Sequence, residues 1–351
     1  MHYQNDDIRI DEIKELLPPI AILERFPATE HASKTVFNAR NSIHNILARK
    51  DDRILVVIGP CSIHDPIAAL EYGKRLVKLR EQYKEQLEIV MRVYFEKPRT
   101  TVGWKGLIND PYMDNSFQLN DGLRTARKLL VDLNDAGIPT AGEFLDMITP
   151  QYVADMMCWG AIGARTTESQ VHRELSSGLS CPVGFKNGTD GTIKVAIDAI
   201  GAANAPHHFL SVTKFGHSAI VSTKGNPDCH IILRGGRAPN YSAEHVGDIA
   251  KQLTKSGLID NIMIDFSHAN SSKDYKKQMM VAEDVAGQIA QGNHAIFGVM
   301  VESHLIEGRQ DLIEGNALCY GQSITDACIG WDDTELLLAT LNKSVLGRRQ
   351  G

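Results

Sequence analysis

Eight short apolar runs, separated by segments with helical spacing, constrain the fold of this chain more than any other feature. Each run carries, or is closely followed by, a charged or metal-binding side chain. These pairs are 54–58 with Cys61, 89–95 with Lys97 and Arg99, 140–144 with Glu143, 162–166 with Arg165, 183–185 with Lys186, 231–233 with Arg234, 262–266 with His268 and 296–301 with Glu302. The alternation predicts an α/β fold, a parallel (β/α)8 TIM barrel whose strand ends converge on one mouth.

The length of 351 residues exceeds what such a barrel needs, about 250 residues, and therefore predicts additions. We assign residues 46–351 to the catalytic barrel and residues 1–45 to an N-terminal extension for inter-subunit contacts and regulation. The extension holds an amphipathic stretch at 8–17 and no barrel strand. Residues 207–224 alternate like a β-hairpin, which we place as an insertion between the fifth and sixth barrel strands.

Helix end signals support the same alternation. Asp65 precedes a proline and a helical apolar pattern, and Thr149 precedes another proline. Ser242 is predicted to cap a helix that ends near Gly257.

Composition excludes several classes of protein. No apolar stretch approaches the roughly 18 residues of a membrane span, and a net charge of -6 argues against nucleic-acid binding. The first residues lack the basic and then apolar pattern of a secretory signal. Six cysteines lie far apart without CxxC pairing, which is typical of reduced thiols. We therefore expect a cytoplasmic protein without membrane or nucleic-acid partners.

A thiol, an imidazole and two carboxylates form the first candidate site, from Cys61, His268, Glu302 and Asp326. Each lies at a strand end or in the loop after the last strand. Together they could hold a first-row divalent ion, and Mn²⁺ or Fe²⁺ suits the mixed ligand set. Taken singly, Cys61 is more often a buried apolar residue and His268 a hydrogen-bonded core histidine; their joint position at the mouth favours the metal site.

Cations form the second candidate site, from Arg92, Lys97, Arg99, Arg165, Lys186 and Arg234. Six positive charges at one rim repel one another unless anions bind there, so they predict a substrate with phosphates or carboxylates. Arginine can grip such groups bidentately, and lysine acts beside it as a point charge. Glu143 could position a water or simply pair with one of these cations.

Long motifs accompany these residues: GPCSIHDP at 59–66, MRVYFEKPRTTVGWKG at 91–106, IGARTTESQVHRE at 162–174, PVGFKNGTDGT at 182–192, ILRGG at 232–236 and DFSHANSSK at 265–273. With them the chain closely resembles the 3-deoxy-D-arabino-heptulosonate 7-phosphate (DAHP) synthases of the enteric type, over nearly its whole length. Within that family it looks most like the phenylalanine-sensitive isozyme.

The resemblance implies condensation of phosphoenolpyruvate with erythrose 4-phosphate, release of phosphate, and entry into the shikimate pathway. It implies Cys61, His268, Glu302 and Asp326 as metal ligands. It assigns phosphoenolpyruvate to Arg92, Lys97, Arg165, Lys186 and Arg234, and the aldose phosphate to Arg99 and Thr100. We expect Lys97, Cys61, His268 and Asp326 to act in catalysis.

The resemblance also implies feedback inhibition by an aromatic amino acid, here phenylalanine, and a homotetramer. The matching pocket positions are Phe144, Met147, Pro150, Gln151, Leu179, Ser180, Phe209, Ser211 and Val221. Asp6 and Asp7 would complete the pocket from a neighbouring subunit by holding the ammonium group. Core packing and a solvated terminus are the alternative interpretations of these positions, and tyrosine is the alternative inhibitor.

Two other functions stay open from the residues alone. One is a metal-dependent aldol-type enzyme acting on a different sugar phosphate, including the related synthase that takes arabinose phosphate. The other is a metabolite-binding barrel without turnover, which would require the loss of a ligand or cation, and every one is present.

Overall fold

A computed structural model describes residues 3–99, 103–313 and 315–351 of the chain. Its strands are β1 (Ile54–Gly59), β2 (Leu87–Arg92), β3 (Thr140–Glu143), β4 (Trp159–Ile162), β5 (Val183–Lys186), β6 (His208–Val212), β7 (Ser218–Ser222), β8 (Cys229–Leu233), β9 (Ile262–Asp265) and β10 (Ile296–Glu302). All except β6 and β7 are parallel and close into one barrel in chain order, with β10 beside β1. The predicted (β/α)8 barrel is confirmed.

Helices alternate with the barrel strands. They are α1 (Pro19–Arg25), α2 (Glu30–Leu47), α3 (Pro66–Gln82), α4 (Leu119–Asp135), α5 (Pro150–Val153), α6 (Gln170–Gly178), α7 (Lys194–Ala203), α8 (Ala243–Lys255), α9 (Gln278–Ala290) and α10 (Trp331–Gln350). Short 3₁₀ turns lie at Ala154–Met156 and Tyr275–Lys277. None of the helices among the described residues is long and apolar enough to cross a membrane.

Helix ends follow the local sequence. The Asp65 carboxylate accepts hydrogen bonds from the backbone N–H groups of Ile67 (2.8 Å) and Ala68 (3.2 Å) at the start of α3. Ser242 caps α8 as predicted, because its hydroxyl accepts from the backbone N–H of His245 at 3.4 Å.

The fourth strand lies earlier than the sequence predicted. It covers Trp159–Ile162 rather than 162–166, so Arg165 stands in the loop beyond the strand. The carbonyl of Gly163 accepts hydrogen bonds from the backbone N–H groups of Thr166 and Thr167, each at 3.0 Å. This turn ends the extended conformation.

The inserted hairpin is confirmed as a separate antiparallel sheet of β6 and β7, between barrel strands β5 and β8. Its pleat places Phe209 opposite Val221 on one face and Leu210 opposite Ile220 on the other. Phe209 is buried, whereas Leu210 and Ile220 are exposed.

The N-terminal stretch 8–17 does not form a helix in the structure. Its apolar side chains Ile8, Ile10 and Ile13 are exposed. The end of the stretch is tied down, because Leu17 donates its N–H to Asn120 Oδ1 (2.9 Å) and accepts a hydrogen bond from the Tyr152 hydroxyl (2.6 Å).

Candidate active site at the mouth of the barrel

A cavity of about 730 Å³ opens at the C-terminal ends of the barrel strands. Its lining includes most of the predicted substrate and metal residues, namely Arg92, Lys97, Arg99, Glu143, Arg165, Lys186, Arg234, His268, Glu302 and Asp326. Cys61 is fully buried beside it, and Thr100 lies outside the described residues. The parallel strands bring these side chains together because their carboxyl ends share one edge of the barrel.

Three of the four predicted metal ligands form a compact group. One ligand atom each of Cys61, Glu302 and Asp326 lies within 4.8 Å of the others. Glu302 Oε1 is buried and accepts no hydrogen bond from the described residues, although the Arg92 guanidinium lies 3.0 Å away. A buried carboxylate oxygen without a hydrogen bond is costly, so this atom fits a metal ligand. The fourth residue, His268, lines the same cavity but is not part of this group.

The thiol of Cys61 lies between a cation and a carboxylate. Its Sγ is 3.1 Å from Lys97 Nζ and 3.4 Å from Asp326 Oδ2. Burial, with a further contribution from the negative charge of Glu302, raises the pKa of Cys61 to about 11. Burial also acts against the Asp326 carboxylate, but the positive charges of Lys97 and His268 outweigh it and lower the pKa of Asp326.

Arg92 is held rigidly at the floor of the cavity. Its Nε donates to the carbonyl of Pro60 (3.1 Å) and its Nη2 to that of Cys61 (3.1 Å). The guanidinium also stacks 3.5 Å from the centre of the Tyr94 ring. These contacts fix the guanidinium of Arg92 beside the cluster of Cys61, Glu302 and Asp326.

Lys186 and His268 share one buried carboxylate. Lys186 Nζ and His268 Nδ1 each lie 2.9 Å from Asp265 Oδ2. Burial would raise the pKa of Asp265, but the charges of Lys186 and His268 hold it well below its usual range. His268 adopts a backbone φ of 60°, a left-handed conformation that is rare outside glycine.

The outer rim of the cavity carries the more accessible cations. Arg99 and Arg165 are exposed, and Arg234 is half-buried. Burial, together with the nearby charge of Arg165, lowers the pKa of Arg234 in spite of the opposing charge of Asp265. Positive groups this close to one another favour a bound anion.

Glu143 lines both the main cavity and a smaller one, which Glu96 and Phe144 also line. A Cβ at position 163 would lie 2.2 Å from Glu143 Oε1, so Gly163 allows the carboxylate its place. Burial, reinforced by the charge of Asp146, raises the pKa of Glu96 to about 8. Sequence reasoning did not single out Glu96.

The predicted inhibitor positions lie in the segment from the end of β3 through α5, in the two residues after α6, and in the hairpin. Phe144, Pro150 and Phe209 are buried, whereas Met147, Gln151, Leu179, Ser211 and Val221 are half-buried and Ser180 is exposed. Contacts join these elements: Lys214 Nζ of the hairpin donates to the carbonyl of Gln151, and the hydroxyls of Ser177 and Thr223 lie 2.6 Å apart. Asp6 and Asp7 are exposed, and within the described residues no contact links them to the other positions.

Several cavity residues were missed by sequence reasoning: Asp265 beside the cavity, and Ser267, Lys273, Tyr275 and Arg309 in its lining. Asp265 stands at the end of a barrel strand in the DFSHAN motif, and a charged residue there is a usable signal. The others lie in loops or, for Tyr275, in a short 3₁₀ turn, where no periodicity indicates the direction of a side chain.

Comparison with known proteins gives a consistent result. The DAHP synthetase I family model matches residues 26–339. The Phe-sensitive phospho-2-dehydro-3-deoxyheptonate aldolase of Escherichia coli (strain K12) is 74% identical over 349 residues, 99% of this chain and 100% of that protein. The Trp-sensitive enzyme of the same strain is 52% identical, covering 97% of this chain and 98% of its own. A structure of phospho-2-dehydro-3-deoxyheptonate aldolase from Francisella tularensis SCHU S4 has a TM-score of 0.95 at 52% identity, covering 97% of this chain and 99% of its own.

Proposed function

This chain belongs to the DAHP synthetase I family, and from that premise we propose that it condenses phosphoenolpyruvate with erythrose 4-phosphate. The products are DAHP and inorganic phosphate, in the first step of the shikimate pathway. The enzyme is a metal-dependent transferase. The observation that carries this function is the full-length similarity to a Phe-sensitive enzyme, together with a single cavity in which a thiol and carboxylate group meets a set of cations.

The metal proposal rests on the donor atoms. We propose Cys61, His268, Glu302 and Asp326 as the ligands of a divalent ion, with Mn²⁺ or Fe²⁺ preferred for a mixed sulfur, nitrogen and oxygen set. The buried Glu302 oxygen without a hydrogen bond supports it. Bound there, the ion would supply Lewis-acid polarisation of the aldehyde carbonyl of erythrose 4-phosphate.

The cations bind and orient the two phosphate esters. Phosphoenolpyruvate is assigned to Arg92, Lys97, Arg165, Lys186 and Arg234, and the phosphate of erythrose 4-phosphate to Arg99 and Thr100. Arginine forks suit the carboxylate and phosphate groups, and rigid placement of the enolpyruvate carbon against the aldehyde lowers the entropic part of the barrier. Lys97 also connects the phosphoenolpyruvate residues with the proposed metal ligands, because its ammonium lies 3.1 Å from Cys61 Sγ.

The reaction is tested by phosphate release from phosphoenolpyruvate, with and without erythrose 4-phosphate, in Mn²⁺ and then in excess chelator. We expect release only when the aldose phosphate and the metal are both present. If Mn²⁺-loaded protein releases no phosphate, the synthase function is wrong. If chelator makes no difference, the metal site is wrong.

Phenylalanine is the proposed feedback inhibitor, and the pocket between α5, α6 and the hairpin is its proposed site. Asp6 and Asp7 would hold its ammonium group from a neighbouring subunit. Phe209→Ala removes a buried aromatic contact and is expected to raise the half-inhibitory phenylalanine concentration about tenfold. Phe37→Ala removes an exposed aromatic side chain of α2, outside the predicted inhibitor positions, and is the matched control that should leave inhibition unchanged.

The same assay with tyrosine in place of phenylalanine tests which amino acid is the inhibitor. Tyrosine inhibiting the unaltered enzyme more strongly than phenylalanine would contradict the proposed specificity. Equal loss of inhibition in both variants would contradict the pocket.

We also propose a homotetramer in the cytoplasm. Exposed isoleucines in the N-terminal stretch and the exposed Leu210 and Ile220 of the hairpin support subunit contacts, because exposed apolar clusters often mark interfaces. All six cysteines are free thiols, which supports a reducing compartment.

A further inference from the structure

We propose that Asp265 is a positioning residue, whose buried carboxylate orients both the metal-binding His268 and the substrate-binding Lys186. This inference rests on the proposed function, because it assumes the roles given there to these two residues. Asp265 itself is fully buried and ends strand β9, so it acts on the reaction through its neighbours.

Both oxygens of the Asp265 carboxylate are held by neighbouring groups. Oδ1 accepts from the Ser267 backbone N–H (3.0 Å) and hydroxyl (2.7 Å). Oδ2 lies 2.9 Å from Lys186 Nζ and 2.9 Å from His268 Nδ1. Three hydrogen bonds and the ion-pair contact with His268 surround the two oxygens, so the carboxylate cannot rotate without losing a contact.

The same network selects one tautomer of His268. The single hydroxyl proton of Ser267 is donated to Asp265, so towards His268 Nδ1, 2.7 Å away, the Ser267 oxygen accepts. Both groups facing Nδ1 are therefore acceptors, and Nδ1 carries the proton. In the neutral ring Nε2 therefore keeps its lone pair, and this tautomer can bind a metal ion through Nε2.

The ion pair with Lys186 connects the proposed metal ligands with the proposed phosphoenolpyruvate residues. Lys186 is itself buried, and its ion pair with Asp265 fixes the ammonium at the cavity wall. Because one carboxylate oxygen serves both residues, losing Asp265 should weaken metal binding and phosphoenolpyruvate binding together. Loss of a residue that only stabilises the fold would not selectively weaken the binding of the metal ion and of phosphoenolpyruvate.

The decisive variant is Asp265→Asn, which keeps the shape and replaces one acceptor oxygen by an N–H donor facing other donors. Mn²⁺ affinity, measured from the free-ion electron paramagnetic resonance signal, is expected to fall about 10- to 100-fold. The KM for phosphoenolpyruvate should rise about tenfold, as expected for loss of a charge-assisted contact. Both KM values are measured in saturating Mn²⁺, and under that condition the KM for erythrose 4-phosphate should stay close to that of the unaltered enzyme.

Asp228→Asn is the matched control. Asp228 also pairs with a histidine ring, His44 Nδ1 at 2.9 Å, but outside the cavity. It should change neither Mn²⁺ affinity nor either KM. Unchanged Mn²⁺ affinity and unchanged KM for phosphoenolpyruvate in folded Asp265→Asn would overturn the proposal, as would an equal rise in both KM values.

A second variant covers the case in which Asp265→Asn does not fold. Ser267→Ala removes the hydroxyl that bridges Asp265 and His268, and is expected to weaken Mn²⁺ binding about threefold or more. Unchanged Mn²⁺ affinity in this variant would then overturn the proposal. If the unaltered protein forms no DAHP yet Mn²⁺ affinity falls as expected, the proposed function fails while the positioning of His268 stands.

Discussion

At the scale of the residue, His230 is kept neutral by its surroundings inside the barrel. Its Nε2 accepts from Trp159 Nε1 (3.1 Å), and its ring packs 4.7 Å from that of Phe297. Burial lowers its pKa to about 4. The unfolded chain binds the proton more readily than the folded one. The contribution of His230 to the free energy of unfolding is therefore fully present above pH 6.5 and is lost as the pH drops towards 4. From this residue we expect about 2 kcal/mol less stability at pH 5 than at pH 7, measured by urea unfolding.

His230→Gln keeps an acceptor for Trp159 but cannot bind the proton. The difference in unfolding free energy between pH 7 and pH 5 should therefore shrink by about 2 kcal/mol in this variant. His294→Gln, at an exposed position, serves as the control and should retain the dependence of the unaltered protein. An identical pH dependence in all three proteins would contradict the argument.

At the scale of the element, the start of α8 depends on a single hydroxyl. Ser242 Oγ accepts from the backbone N–H of His245 and lies 2.7 Å from its Nδ1. Ser242→Ala leaves that N–H without its side-chain partner and is expected to cost about 1 kcal/mol in unfolding free energy.

The matched control lies at the other end of the same helix. Ser256 is exposed, and its hydroxyl donates to the carbonyl of Gln252 at 3.0 Å. Ser256→Ala should change stability by less than about 0.5 kcal/mol, because a surface substitution away from an N-cap has little effect. Equal costs for the two variants would show that the N-cap has no special role here.

At the scale of the whole molecule, the hairpin presents two large apolar side chains that the single chain does not cover. Leu210 and Ile220 are paired across the strands and are 80% and 77% exposed. The double substitution Leu210→Asp and Ile220→Asp should shift the proposed tetramer to smaller species in sedimentation velocity, because it places charges in an apolar interface.

Ile259→Asp, at another exposed apolar position outside the hairpin, is the control and should sediment like the unaltered protein. Since the hairpin is not part of the barrel, the Mn²⁺ affinity of the double variant should also be unchanged. Unaltered sedimentation of the double variant would remove the hairpin from the interface.

The sequence alone determined the barrel and the chemistry of its mouth. Strand ends in a parallel barrel must share one edge, so the pattern of the chain is enough to place residues such as Lys186 and Arg234 around one cavity. The motifs then identified the family, and the capping residue Ser242 was predictable because an N-cap acts over only three residues.

Tertiary structure decided what depends on contacts between distant residues. The groups around the Asp265 carboxylate come from strand β5 and from the loop after β9, and no local pattern predicts that one carboxylate serves both Lys186 and His268. The stretch 8–17 has helical spacing but no helix, since an isolated short helix is marginal without a surface to bury its apolar face. Sequence periodicity indicates which side chains tend to be buried. Contacts between distant residues exist only in the folded chain, and these contacts determine which groups are charged and how each side chain is oriented.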